Sequence, residues 1–175
     1  MTSDGITKSD WDKLRALAAQ LANAACADDK VLYNRYREDL LEYLNQLKAK
    51  YGDLPSIIAT QADYTNRVRE KKRLLKRALR RAEEIDDLKN QILIAESLEE
   101  FHKEEVLDRA EAAAWRRKAV LLNLRAKKLN RGGGNLSNIG IQRNARKDAS
   151  LLCRRNGICR NSFMPLFSPS IWSFG

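Results

Sequence analysis

Apolar residues recur every three or four positions, with few interruptions, from about residue 9 to about residue 130. In the first such segment, Trp11, Leu14, Ala18, Leu21 and Ala25 form one stripe of an amphipathic helix. The β-branched residues share this helical periodicity, so no segment is typical of a strand. The spacing therefore predicts an all-α protein of about six helices, joined by short turns and paired as antiparallel hairpins.

Residues that favour helix ends divide this periodic region. Ser9 is suited to cap the first helix, Asp28 or Asp29 the second and Asp53 the third, because their side chains can accept hydrogen bonds from free N–H groups. Gly52 is suited to end the second helix, since glycine adopts the left-handed conformation without strain.

Two predicted helical hairpins, residues 54–86 and 88–128, can be aligned with each other. "IIATQADY" from Ile57 corresponds to "LIAESLEEF" from Leu93 at a shift of 36, and the apolar positions of the second helices correspond at a shift of 37. A two-helix period of this length is typical of stacked hairpin repeats, because one hairpin alone cannot bury its apolar face.

The second unit, residues 88–128, carries small, apolar and aromatic residues at regular positions in both of its helices. Its first helix carries Ala95, Leu98 and Phe101, and its second helix carries Ala112, Trp115 and Ala119. This resembles the tetratricopeptide repeat family over residues 54–124, although neither unit begins with Trp-Leu-Gly or closes with proline. The resemblance implies repeat-like stacking and protein binding without catalysis, and it fixes no binding residue. The alternative is a plain helical bundle with a coincidental period.

Charge is unevenly distributed along the chain, whose formal net charge is +10. Residues 1–65 carry 8 basic and 10 acidic side chains, residues 66–131 carry 19 and 12, and residues 132–175 carry 6 and 1. The basic part permits either an acidic protein or a nucleic acid as partner.

The predicted fourth helix contains the densest basic run. Its cations lie opposite an apolar stripe that includes Leu75, Ala78 and Leu79. The candidate partner-binding residues on this basic face are Arg69, Lys72, Arg73, Lys76, Arg77, Arg80 and Arg81. A purely solvated face is the alternative, since the glutamates of the fifth helix could partly neutralise the run. No aromatic residue is interleaved to stack on bases, which disfavours single-stranded nucleic acid.

Nothing in the sequence predicts catalysis, a metal or a cofactor. His102 is the only histidine and is expected at the surface or in packing, and Cys26 is expected in the core. The glycine run at 132–134 lacks the strand and the Lys-Ser/Thr of a phosphate loop. Three scattered cysteines, no apparent signal peptide and no long apolar run favour a cytoplasmic protein without a membrane partner.

The sequence predicts a helical domain over residues 1–130. Residues 131–175 form a Gly-rich linker and an irregular basic and hydrophobic tail, which could dock on the helices, bind a partner, lack order or not be a native selected extension. The predicted function is a non-enzymatic protein-protein interaction module of the helical-repeat type. The alternative is a nucleic-acid-binding accessory protein that uses the basic fourth helix and the basic tail.

Overall fold

The computed structural model describes residues 2–132, and this part of the chain contains six helices and no strand. The helices are α1 Lys8–Cys26, α2 Lys30–Tyr51, α3 Pro55–Asp63, α4 Val68–Glu84, α5 Leu88–Glu104 and α6 Arg109–Gly132. Within each compact unit described below, consecutive helices pack against each other. The predicted all-α fold of about six helices in hairpins is confirmed.

The described residues form two compact units. Residues 2–53 make the N-terminal hairpin, α1 with α2, and residues 54–132 make the four-helix unit, α3 to α6. The prediction of one domain over residues 1–130 stays a prediction. Of the predicted linker and tail over residues 131–175, Arg131 and Gly132 are the last residues of α6, and residues 133–175 lie outside the described residues.

The N-terminal hairpin buries one stripe from each helix. The buried aliphatic side chains of the two helices are Leu14, Ala18, Leu21, Ala24, Leu40, Leu44 and Leu47. Trp11 and Tyr43 are buried with them, so most of the predicted stripe is confirmed. The expectation for Cys26 is wrong, because this residue ends α1 and is exposed.

A polar network joins the two helices of the N-terminal hairpin. The Asp10 carboxylate on α1 accepts hydrogen bonds from Lys50 Nζ at 2.8 Å and from the Tyr51 hydroxyl at 2.5 Å, both on α2. The bond from Lys50, followed by that from Tyr51, holds the pKa of the Asp10 carboxyl well below its usual range. The network therefore stabilises the hairpin above the ordinary carboxyl pKa, and this contribution is lost as the pH falls towards the lowered value.

The four-helix unit is built around α4 and α5, each of which packs against a helix on two sides. Its buried apolar residues are Ile57, Ile58, Ala59, Ala62, Leu74, Leu75, Ala78, Leu79, Ala82, Leu93, Ile94, Ala95, Leu98, Phe101, Ala112 and Ala119. Val68, Ile85 and Leu129 follow the same apolar spacing but are about half exposed, because they lie at or near helix ends.

The turns α1–α2 and α4–α5 use the same pair of aspartates. The first, Asp28 or Asp86, has a left-handed backbone with φ of 53° or 50°. The second, Asp29 or Asp87, donates its N–H to the carbonyl five residues earlier and caps the next helix with its carboxylate. One residue thus ends a helix and the next residue begins another, as in a Schellman motif.

Two predicted caps are wrong. Thr7 caps α1 through its hydroxyl, so the helix begins before Ser9. Leu54 precedes α3 without a side-chain cap, and Asp53 instead forms an ion pair with Lys48 at 3.2 Å. A proline at the start of α3 reduces the need for a cap, since it has no N–H to satisfy.

We expect Leu107→Gly to stabilise the four-helix unit by about 1 kcal/mol. Leu107, in the α5–α6 turn, has φ of 57° and is 77% exposed. A left-handed backbone costs a non-glycine residue about 1–2 kcal/mol, and glycine adopts it freely. Urea denaturation followed by circular dichroism measures the change.

Val106→Gly is the matched control for this substitution. The neighbouring Val106 is 39% exposed and does not have a positive φ, so glycine there gains no relief and adds freedom to the unfolded chain. We expect this control to destabilise. Equal effects of the two substitutions would contradict the assignment of backbone strain to Leu107.

Candidate partner-binding face

The exposed side of α4 carries four cations in one row. Arg69, Arg73, Lys76 and Arg80 are exposed and spaced at i, i+4, i+7 and i+11, which places them on the same face of the helix. We call these four residues the cationic stripe. The other three predicted binding residues, Lys72, Arg77 and Arg81, are half-buried along its edges.

Acidic neighbours on α4 engage part of this basic face. Glu70 accepts from Arg73 Nε at 2.9 Å and from Arg73 Nη2 at 2.6 Å, a two-point pairing. Glu84 pairs with Arg81. Within residues 2–132, the structure places no ion pair on the remaining stripe residues, Arg69, Lys76 and Arg80. These three cations are the part of the face that is open to a partner.

The glutamates in α5 and just after it that form ion pairs with other helices do not contact the stripe. Glu105, the residue that follows α5, pairs with Lys71 of α4, and Glu99 of α5 pairs with Arg116 of α6 at 2.7 Å. One cation of α4 that Glu105 neutralises is therefore Lys71, which was not among the predicted binding residues. Lys71 lies at the edge of the apolar side of α4, four residues before Leu75, and this spacing was a usable signal.

Lys71 belongs to a charged cluster beneath α4. It is 7% exposed and pairs with Glu105, and the charges of Lys71, Glu105 and Glu100 all act on the Asp63 carboxyl. Burial raises the pKa of the Asp63 carboxyl to about 7; Lys71 opposes this rise, while Glu100 and Glu105 add to it. The Asp63 carboxyl therefore titrates near neutral pH, whereas ordinary aspartates are fully ionised there.

His102 lies inside the four-helix unit and packs edge-on against Phe101, with ring centroids 5.3 Å apart. This confirms the packing role. Neither ring nitrogen has a hydrogen-bond partner among the described residues. Burial, and secondly the charge of Lys72, lowers the pKa of His102 below its usual value, so the ring is neutral at pH 7.

The described residues contain no cluster of three or more His, Cys, Asp or Glu side chains arranged to hold a metal ion. None of the helices within residues 2–132 has the length and apolar character needed to cross a membrane. The sequence matches no protein-family model, no curated protein and no solved structure. The fold and the face therefore define the class: an all-α protein of packed helical hairpins with a solvent-facing cationic stripe.

Proposed function

We propose that this chain is a non-enzymatic, cytoplasmic protein-interaction module that binds an acidic peptide segment along the cationic stripe of α4. The observation that carries the proposal is the set of three exposed cations, Arg69, Lys76 and Arg80, without ion pairs to the described residues. Charged side chains that are not needed for the fold are available to a ligand of opposite charge.

Packing supports a binding role for α4. The helix lies between α3 and α5, which bury six of its residues, so its exposed face has a fixed orientation. The order of contacts, α3 with α4, α4 with α5 and α5 with α6, is what stacked hairpins require. Tetratricopeptide-like stacking therefore remains our interpretation of the four-helix unit.

The spacing of the stripe suits an extended or helical acidic partner. Cations at successive helical turns are about 5.4 Å apart along α4, so the stripe spans roughly 16 Å. Each exposed pair contributes about 0–1 kcal/mol. Binding through the stripe alone is therefore weak and sensitive to salt, and tight binding needs apolar contacts as well.

Neutralising Arg69, Lys76 and Arg80 to glutamine tests the proposal. We expect at least a tenfold loss of affinity for a fluorescent glutamate-rich peptide at low salt, measured by fluorescence anisotropy. The control variant Lys30→Gln, Arg35→Gln, Lys103→Gln removes the same charge at other exposed positions. If both triple variants lose affinity equally, net charge rather than the stripe attracts the peptide, and the proposal fails.

Nucleic-acid binding is the second candidate, and the same unpaired cations favour it. An RNA oligonucleotide titrated in parallel separates the two functions. If the stripe contacts phosphates, the triple variant lowers the slope of log affinity against log salt by about two units, since each contact contributes about 0.7–0.9. The absence of aromatic residues from α4 leaves no stacking surface on this helix, so we expect the acidic peptide to bind better.

A further inference from the structure

The outer face of α6 is a second surface that the fold leaves open. Val120, Leu121 and Leu124 are 52%, 66% and 49% exposed, and Arg117 and Lys128 are exposed beside them. These five residues lie within one side of the helix, because they follow at i, i+3, i+4, i+7 and i+11. We call them the α6 outer face.

The fold of the four-helix unit does not use this face. The opposite side of α6 packs on α5 through buried Ala112 and Ala119, with Trp115 half-buried between them. Adjacent exposed aliphatic side chains ringed by charge are typical of interaction surfaces rather than of ordinary solvated helices. The outer face is therefore available to a partner.

Charge restricts what this partner is. α6 contains eight basic residues and one acidic residue. Ion pairs hold three of these cations: Arg116 with Glu99 at 2.7 Å, Lys118 with Glu83 at 2.8 Å and Arg125 with Asp86 at 3.2 Å. The first pair joins one flank of α6 to α5, and the other two join it to the end of α4 and the turn that follows. Arg117 and Lys128 take part in no such pair within the described residues.

We propose that the α6 outer face docks an acidic amphipathic helix of another protein, whose apolar stripe covers Val120, Leu121 and Leu124. Acidic side chains flanking that stripe match the charges of Arg117 and Lys128. A second α6 carries the same positive charge, and residues 132–175 carry six basic residues and one acidic residue, so charge disfavours both. This inference rests on the proposed function, because it specifies the partner of the module.

A pair of designed peptides tests the inference with the full-length chain. The probe is a fluorescent 18-residue helix with leucines on one face and glutamates on its flanks, and the matched peptide has lysine at each glutamate. We expect the acidic peptide alone to bind. Leu121→Ser, Leu124→Ser should weaken it at least tenfold, while Val31→Ser, Leu32→Ser on exposed positions of the N-terminal hairpin should not.

Several outcomes would overturn the inference. They are unchanged affinity of the Leu121→Ser, Leu124→Ser variant, equal binding of the lysine peptide, and failure of the acidic peptide to bind. Three further results would assign the face to a different occupant, provided that the Leu121→Ser, Leu124→Ser variant abolished them. They are self-association of the chain in sedimentation, tighter binding of a synthetic peptide of residues 160–175, and binding to phosphatidylserine vesicles. Unaltered helical content by circular dichroism confirms that the variant is folded.

The stripe variant Arg69→Gln, Lys76→Gln, Arg80→Gln separates this inference from the proposed function. If only the stripe variant loses the acidic peptide, the proposed function stands and the α6 inference fails. If only the serine variant loses it, the outer face binds by itself and the role of the stripe fails. Loss of binding in both variants supports one partner that contacts both surfaces.

Discussion

We expect Lys71→Met to lower the free energy of unfolding of the four-helix unit by about 3–5 kcal/mol, which is the usual cost of removing one partner of a buried ion pair. Methionine retains much of the length of the side chain but removes the charge. Glu105 then loses its cation, and the buried Asp63 carboxyl still interacts with the charges of Glu105 and Glu100. Urea denaturation at pH 7, with hydrogen exchange of α5 as a local measure, tests this result.

Lys72→Met is the control for Lys71→Met. It removes the same charge one position later, where the side chain is half-buried and faces the edge of the basic side. We expect a change within about 0.5 kcal/mol, as for most surface substitutions. Similar small losses in the two variants would show that the Lys71–Glu105 pair contributes little to stability.

We expect Asp63→Asn to stabilise the four-helix unit above pH 7 by up to about 4 kcal/mol and to remove the dependence of its stability on pH that this carboxyl causes. The folded pKa of about 7 exceeds the ordinary value of 3.8, and each pKa unit corresponds to about 1.36 kcal/mol. Below pH 3.8 the carboxyl is protonated in both states and has no effect. Between these values only the unfolded chain releases the proton, so stability falls as the pH rises, and asparagine abolishes this loss.

Asp39→Asn is the control for this titration, because Asp39 is exposed on α2 and its substitution should leave the pH profile unchanged.

The double variant Lys71→Met, Asp63→Asn provides an internal check. It should be less destabilised than the sum of the separate changes predicts, since one of the carboxylates left near Glu105 is gone. Identical urea midpoints for wild type and Asp63→Asn from pH 4 to pH 8 would contradict the raised pKa.

Helix content and the solvent-facing side of α4 could be predicted from the sequence because both depend on local spacing. The stripe of Leu75, Ala78 and Leu79 orients the helix, and the cations opposite are then exposed or half-buried. Caps at Asp29 and Asp87 were also predictable, since an aspartate before an apolar run satisfies the free N–H groups of the same segment.

Features that depend on contacts distant in sequence were not predictable. The Lys71–Glu105 pair joins residues 34 positions apart, and it forms only because α5 packs beside α4. The raised pKa of Asp63 depends first on burial in the folded chain and then on the charges of Lys71, Glu100 and Glu105, which lie far from it in the sequence. Leu107 gave no signal of a left-handed turn, because that conformation is favourable for glycine and not for leucine. The tertiary fold imposes it.

The Asp86–Asp87 turn determines the phase between α4 and α5. Because one aspartate ends a helix and the next starts another, the turn has no spare residue to absorb a change in length. One inserted residue would rotate α5 by about 100° relative to α4, given 3.6 residues per turn. Lys71 would then no longer meet Glu105. The length of the turn, rather than its composition alone, therefore maintains the phase of α4 and α5 that this ion pair requires.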